Sequence, residues 1–289
     1  MFAVNRTTIR SNYADESRIG KAKIAENYLN FQQEVEDWLE KHAPLPVTFD
    51  VGYCQPPFFS EYTYNDVAGG VWVRSLSAEF NSRYLQNVYG DSAVDIDNRE
   101  VPFQEKYELL SRDDNEKSER TIVFLTGGNL FERIAWELVD RQIYDDDRTL
   151  IKAHPLTTDD DLKRLSKRYG WHRILAPTDS GYYWYSKADS ILTTANSELF
   201  LRSVIDRKFT ECLTKVSHIA KSSYFPFWRL LKLNLDHAKA FKTVILDSHS
   251  GFVFPTQIDW QERLQGFFEH SMQFRDRYQS HVPLFTGEF

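Results

Sequence analysis

The chain has few cysteines and no long apolar run. Its 289 residues include only Cys54 and Cys212, which argues against a disulfide framework and for a reducing compartment. No stretch approaches the roughly 18 apolar residues of a membrane-spanning helix, and the first six residues, Met-Phe-Ala-Val-Asn-Arg, lack the apolar core of a signal peptide. Internal repeats of the solenoid or propeller kind are also missing. We therefore expect a cytoplasmic, globular protein without an integral membrane segment.

Positive charge is scarce as well. The chain has 35 lysines and arginines against 42 aspartates and glutamates, a formal net charge of −7 and an isoelectric point near 5.7. Nucleic-acid binding depends mainly on basic contacts to phosphates. The overall charge therefore disfavours a nucleic-acid partner and leaves only a local basic patch as a route to one.

Aromatic side chains, in contrast, are abundant at 15% of the residues. Aromatic rings bury large apolar areas, and they also stack on sugars and bases. Packing and ligand stacking therefore stay open as interpretations. The main clusters are Tyr53, Phe58, Phe59, Tyr62 and Tyr64, then Tyr182 to Tyr185, then Tyr224, Phe225, Phe227 and Trp228.

The amino-terminal part predicts one helix and two strands before a charged stretch. Apolar residues recur every three to four positions from Ile19 to His42, which is typical of a helix. Val47 to Val51 is a short β-branched and aromatic run, and Gly52 follows it, so we expect a strand that delivers Asp50 to a turn. Val71 to Arg74 predicts a second strand, and residues 78–90 a further helix.

Residues 91–119 are charged and poorly periodic, as in a solvated loop or linker. We therefore predict two domains, residues 1–118 and residues 119–289. The predicted strands and helices of the second domain are the more regular ones.

The carboxyl-terminal part alternates strands and helices. This alternation predicts a parallel sheet with crossover helices. The four predicted strands are Thr121–Leu125, Thr149–Lys152, Arg173–Ala176 and Ser190–Thr194, and the predicted helices run from about Leu130 to Arg141, from Thr157 or Thr158, from Ser180, and from Ser197 to Ile205. Beyond Cys212 we predict helices near 226–241 and 259–279, on either side of a strand at Thr243–Leu246.

Polar clusters follow the carboxyl ends of these strands. Helix amino ends that meet such an edge present unpaired N–H groups, which favour an anion. The pattern therefore indicates a ligand that carries phosphate. The candidate binding residues are Gly127, Gly128 and Asn129, then Lys152, His154 and Pro155, then Ser180, then Asn196, Ser197 and Glu198. A histidine that caps a turn and serines that cap their own helices are the alternatives.

The order of these motifs resembles the carboxyl-terminal half of the GT-B glycosyltransferases that build bacterial capsules. Lys152-Ala-His154-Pro155 closes one strand, and Asn196-Ser197 follows a later one. The nearest group is the Kdo-transferase and polysialyltransferase-like one, with a looser similarity to CDP-glycerol glycerophosphotransferases. The resemblance covers about residues 121–212. It implies an α/β, GT-B-like fold of two Rossmann-like halves with a cleft between them.

In that group an HP motif and a later serine motif hold the phosphate and ribose of a CMP-activated sugar. The resemblance therefore assigns His154 and Pro155 to the first motif, Asn196 and Ser197 to the second, and Lys152 to the basic residue before HP. The family continues with a small residue, Glu-Ala and a glycine-rich turn, whereas Ser197 here leads into Glu198-Leu-Phe-Leu-Arg202. The resemblance implies a nucleotide-sugar donor as substrate and no separate cofactor. It also implies that residues 1–118 form the acceptor-side domain and residues 119–289 the donor-binding domain.

An inverting transfer also needs a base for the acceptor hydroxyl. Asp50 is our candidate, because the resembling group also has its acidic base in the amino-terminal half; a turn that Asp50 forms with Gly52 is the alternative. Glu61 and Asp66 are further candidates, in an aromatic segment between Pro57 and Gly69 that we expect to be a loop. Asp95 to Asp97 and Asp145 to Asp147 are interpreted as solvated loops, so no metal site is expected.

Three functions follow from the sequence. The first is a metal-independent glycosyltransferase that acts on a glycan acceptor. The second is a phage-type transferase that glycosylates modified bases in DNA, and the third is a nucleotide or sugar-phosphate sensor without catalysis. The second requires a basic groove on one face, formed by Arg74, Arg83, Arg207, Lys215, Lys221, Arg229 and Lys232.

Overall fold

The computed structural model describes residues 23–49, 62–67, 69–75, 99–108, 120–127, 131–132, 134–194, 198–213 and 237–279. These residues form a two-stranded pair, a four-stranded mixed sheet and a five-stranded parallel sheet. The expected α/β class is therefore confirmed. No helix within the described ranges is long and apolar enough to cross a membrane.

The parallel sheet is the predicted ligand-binding one. Its strands stand in the order β10, β9, β6, β7, β8, and every neighbouring pair is parallel. The chain thus starts in the middle, winds to one edge, returns past the start and winds to the other edge. The strands are β6 (Thr121–Phe124), β7 (Leu150–Lys152), β8 (Ile174–Leu175), β9 (Ser190–Thr193) and β10 (Phe209–Cys212).

Helices cover both faces of this sheet. Alternation along β6 sends Val123 and Leu125 into one core and Ile122 and Phe124 into the other. The first core includes helices α2 (Trp136–Asp145) and α3 (Asp159–Tyr169), and the second includes α4 (Gly181–Lys187) and α5 (Glu198–Ile205). Burial on both faces explains why these strands are short continuous apolar runs.

The mixed sheet lies in the amino-terminal half and has the order β11, β4, β3, β2. Within this sheet only β2 and β3 pair in parallel. The described residues therefore contain one Rossmann-like sheet, and the second Rossmann-like half stays a prediction. One face packs against α1 and α7 through residues such as Val35, Tyr62 and Phe267. The elements are α1 (Glu26–His42), β2 (Val47–Phe49), β3 (Tyr62–Val67), β4 (Gly70–Ser75), β11 (Phe252–Val253) and α7 (Trp260–Gln279).

The carboxyl-terminal end of the chain returns to this amino-terminal sheet. Strand β11 pairs with β4, with Phe252 opposite Trp72, and Leu264 and Phe268 of α7 lie in the same core as α1. The structure therefore differs from the predicted division at residues 118 and 119, because residues 252–279 pack with the first sheet.

Two local predictions are corrected. The strand expected at Thr243–Leu246 is the last turn of helix α6 (His237–Leu246), where the Thr243 hydroxyl donates to the carbonyl of Lys239 at 2.8 Å. A short β-branched run cannot by itself distinguish a buried helix from a strand. The aromatic segment expected as a loop contains β3, in which alternate tyrosines are buried. The helix expected at residues 78–90 lies outside the described residues.

Residues 101–108, hereafter the connecting segment, join the two sheets. The Lys106 carbonyl accepts the Ala25 N–H at 2.8 Å, and strand β5 (Tyr107–Glu108) pairs with β1 (Lys23–Ile24). The Phe103 ring lies edge-on to Phe254, with the centroids 6.0 Å apart, and the guanidinium of Arg202 lies over the same ring. Residues 101–108 of the predicted linker are therefore packed against other elements of the fold.

Candidate functional site at the carboxyl edge of the parallel sheet

The order of the parallel strands reverses between β6 and β9, which makes the carboxyl edge at these two strands a topological switch point. In open α/β sheets, ligands bind at such a switch point. The backbone N–H of Thr126 donates to the Thr194 hydroxyl at 2.9 Å, and the Thr194 N–H donates to the Phe124 carbonyl at 3.2 Å. Both threonines are buried. These bonds hold the ends of β6 and β9 together at the switch point.

Gly127 and His154 meet at this edge. Gly127 follows β6 and His154 follows β7, and a Cβ atom at Gly127 would come within 2.5 Å of the His154 Nδ1. Glycine is therefore needed here because of this close approach and not because of its backbone freedom. Two of the predicted donor-binding residues are thus in direct contact.

The structure fixes the tautomer of His154. Its Nδ1 accepts the backbone N–H of Leu156 at 3.1 Å, so the proton of the neutral ring is on Nε2. Burial, with the positive charges of Lys106 and Lys152, lowers the pKa of the imidazole to about 3. His154 is therefore a neutral ring at physiological pH that offers one N–H donor.

Pro155 shapes the turn that carries this histidine. The Thr157 N–H donates to the His154 carbonyl at 2.9 Å, which closes a turn with Pro155 in its second position. Proline favours that position because its ring presets the backbone angle φ. The turn leads into α3, where the Asp161 N–H donates to the Thr158 hydroxyl at 3.2 Å. Thr158 is therefore the cap that the sequence left undecided between two threonines.

Lys152 is almost completely buried, with 2% of its surface exposed. Its ammonium donates to the Ala153 carbonyl at 2.7 Å. Burial lowers the pKa of this lysine to about 8, and the negative charges of Asp179 and Glu105 act in the opposite direction. Lys152 therefore stays mainly protonated at neutral pH and places a buried positive charge at the carboxyl end of β7.

Glu105, from the connecting segment, is a site residue that the sequence did not reveal. One carboxylate oxygen accepts the Gly181 N–H at 2.9 Å, and the other accepts the hydroxyl of Ser180. Burial raises the pKa of Glu105, while these hydrogen bonds and the charge of Lys152 partly offset the rise. The residue lies within the charged stretch 91–119, where nothing in the local pattern distinguishes it from solvated glutamates.

Ser180 has its hydrogen bonds within the protein. Its hydroxyl donates to Glu105 and accepts the Tyr183 N–H at 3.0 Å, as the cap of α4. Its neighbour Asp179 accepts the indole N–H of Trp184 at 3.1 Å. Ser180 therefore lies at the predicted edge. There it caps its own helix, which was the alternative interpretation, and it also binds Glu105 of the connecting segment.

The remaining candidates are placed only in part. Asp50, Glu61, Gly128, Asn129, Asn196 and Ser197 lie outside the described residues. The backbone of Glu198 begins α5, and Asp66 lies in β3 opposite Val71 of β4. Asp145 ends α2 on the amino side of β7, at the opposite end of that strand from His154. In the ranges given above, no three acidic, histidine or cysteine side chains form a group that could hold a metal ion.

The chain matches no protein-family model and no curated protein sequence.

Proposed function

We propose that this protein is a nucleotide-sugar-dependent glycosyltransferase with a GT-B-like arrangement. The parallel sheet would hold the donor, and the amino-terminal half would hold the acceptor. The observation that supports it most is the contact between Gly127, at the end of β6, and His154, at the end of the neighbouring β7, beside the switch point of a parallel sheet. This is where an open α/β sheet binds a nucleotide.

The chemistry of the edge fits the phosphates of such a donor. Neutral His154 offers its Nε2–H as a hydrogen-bond donor, and Gly127 lets the imidazole lie directly against the backbone that follows β6. The protonated Lys152 adds a fixed positive charge nearby. Preorganised donors of this kind stabilise the negative charge that develops on a leaving nucleotide. In this proposal they replace a divalent ion in that role.

One part of the alternative DNA-modifying function loses support. The basic groove that it requires includes Arg74, but this side chain is 1% exposed in the amino-terminal sheet. A buried guanidinium cannot contact a phosphate backbone. We therefore favour a glycan over a modified base as the acceptor. The sensor function has the same donor site and differs only in lacking a catalytic base.

A transfer assay with Asp50→Asn tests the catalytic part. The amide keeps the size of the carboxylate but cannot accept a proton, so turnover should fall by roughly 10²–10⁴-fold while donor affinity persists. Asp147→Asn, in an exposed loop, is the matched control. Full activity in Asp50→Asn would move the base to Glu61 or Asp66, and loss of activity in EDTA would contradict the metal-free mechanism.

A further inference from the structure

A cavity lies in the amino-terminal half, apart from the edge that carries His154. It has a volume of about 450 Å³ and opens between α1, the connecting segment and the loop before α7. This volume is within the range of small-molecule sites, roughly 300–1,000 Å³. The side chains that matter to its chemistry are Asn27, Asn30, Glu34, Gln104, Gln257 and Trp260.

One face of α1 forms a wall of this cavity. Asn27, Asn30, Phe31 and Glu34 follow the spacing of three and four residues that aligns side chains on one side of a helix. Phe31 is buried, whereas the two asparagines and the glutamate are exposed. The wall therefore has an apolar base and a polar rim.

Trp260 forms a fixed aromatic wall. Its ring lies edge-on to Phe31, with the centroids 5.8 Å apart, and also packs against Trp38 at 6.0 Å. Gln257 is fixed as well, because its side-chain oxygen accepts the Phe254 N–H at 2.9 Å. The cavity is thus preformed, and little ordering of these groups is needed when a ligand binds.

The lining selects against anions. It contains four amide side chains, one threonine hydroxyl and one carboxylate, and none of its residues is a lysine, arginine or histidine. A phosphate or carboxylate would face Glu34 without a positive partner. Amides donate and accept hydrogen bonds, as sugar hydroxyls do. Aromatic rings pack against the apolar C–H faces of a sugar, which makes this combination suited to a neutral polyol.

We propose that this cavity is a binding site for a neutral carbohydrate. The site goes beyond the proposed donor site, since it lies in the other half of the molecule and has the opposite electrostatic character. The connecting segment joins the two, because Gln104 lines the cavity and the next residue, Glu105, contacts Ser180 and Gly181. A carbohydrate bound here would therefore contact the residue that precedes Glu105.

Calorimetric titration of wild type, Asn30→Ala and Gln33→Ala with three neutral trisaccharides tests the site. The three are maltotriose, cellotriose and N,N′,N″-triacetylchitotriose. Gln33 is exposed next to Asn30 on α1, does not line the cavity and bonds Asp37 at 3.0 Å. We expect at least one trisaccharide to bind wild type and Gln33→Ala equally. Asn30→Ala should bind it about threefold to tenfold more weakly, the scale of one lost hydrogen bond. No binding by any of the three, or equal binding by Asn30→Ala, would overturn the proposal.

A second pair of titrations separates a neutral sugar from an organic cation. Glu34→Gln removes the negative charge and keeps a hydrogen-bonding side chain of the same size, so the affinity for the trisaccharide should change by less than about threefold. If choline binds wild type more tightly than the trisaccharides and loses affinity in Glu34→Gln, the site is one for cations and the proposal is wrong. Nucleotide titrations of the same variants report on the donor site separately.

Discussion

At the scale of single residues, the contact between Gly127 and His154 gives the clearest expectation. The backbone angle φ at Gly127 lies outside the positive region, so alanine is excluded by the His154 ring and not by the backbone. Gly127→Ala should cost about 1–3 kcal/mol of unfolding free energy, the usual cost of overpacking. In a His154→Ala background the cost should fall below about 1 kcal/mol. Urea unfolding of wild type, the two single variants and the double variant measures this coupling. An equal loss of unfolding free energy from Gly127→Ala in both backgrounds would disprove the contact.

The protonation of His154 links stability to pH. The pKa of the His154 imidazole is about 3 in the folded protein and about 6.5 in the unfolded chain. Below pH 6.5 the unfolded chain therefore binds a proton that the folded protein does not, so stability falls as the pH falls from 6.5 toward 3. The slope from this one group is up to about 1.4 kcal/mol per pH unit.

Comparison with His154→Asn isolates this effect. Asparagine can accept the Leu156 N–H through its side-chain oxygen, but it does not titrate. Between pH 6.5 and pH 4, the unfolding free energy of wild type should decrease more steeply than that of the variant. Parallel curves over this range would show that His154 is freely protonated in the folded protein.

The residues of the site differ in how visible they are in the sequence. Gly127, Lys152 and His154 follow apolar runs directly, and parallel strands bring their carboxyl ends to one edge, so local pattern is sufficient to group them. Glu105 reaches Ser180 across 75 residues of chain. Its position depends on how the connecting segment packs against the parallel sheet. The local sequence pattern within residues 91–119 cannot predict that contact.

At the scale of elements, the connecting segment is attached to α4 mainly through Glu105. Glu105→Ala removes the acceptor of the Gly181 N–H. Hydrogen exchange of this amide should accelerate by about tenfold or more, because a hydrogen bond to a charged group contributes about 1.5–3 kcal/mol. Glu108→Ala, an exposed position of the same segment, is the control and should leave the exchange of Gly181 unchanged. Unaltered exchange in Glu105→Ala would show that the segment is held by other contacts.

The predicted elements failed where tertiary pairing decides the structure. Strand β11 is only two residues long and forms because Val253 and Phe252 meet β4, which lies about 180 residues earlier in the sequence. Helix α6 has a β-branched run at its end, but Val244 and Ile245 are buried and the helix packs on α5. In both cases the contact partner is distant in sequence, so a local pattern could not show it.

At the scale of the whole molecule, the return of residues 252–279 makes the two halves interdependent. Residues 1–118 alone lack β11 and α7, which supply Val253, Leu264 and Phe267 to the amino-terminal core. We expect that fragment to show no cooperative unfolding by circular dichroism, whereas the full chain does. A cooperatively folded 1–118 fragment would show that the returning elements are not needed for this core.

The central claim is that a nucleotide binds at the carboxyl edge of the parallel sheet through His154. Calorimetric titration with CMP, CDP, UDP and GDP, each without a divalent ion, tests it most directly in wild type, His154→Ala and His172→Ala. His172 is exposed in the short helical turn before β8 and has no role in the proposed site. At least one nucleotide should bind wild type and His172→Ala equally and bind His154→Ala about tenfold or more weakly, the scale of a hydrogen bond to a charged group. If no nucleotide binds wild type, or if a correctly folded His154→Ala binds one as tightly as wild type does, the account of this site is contradicted.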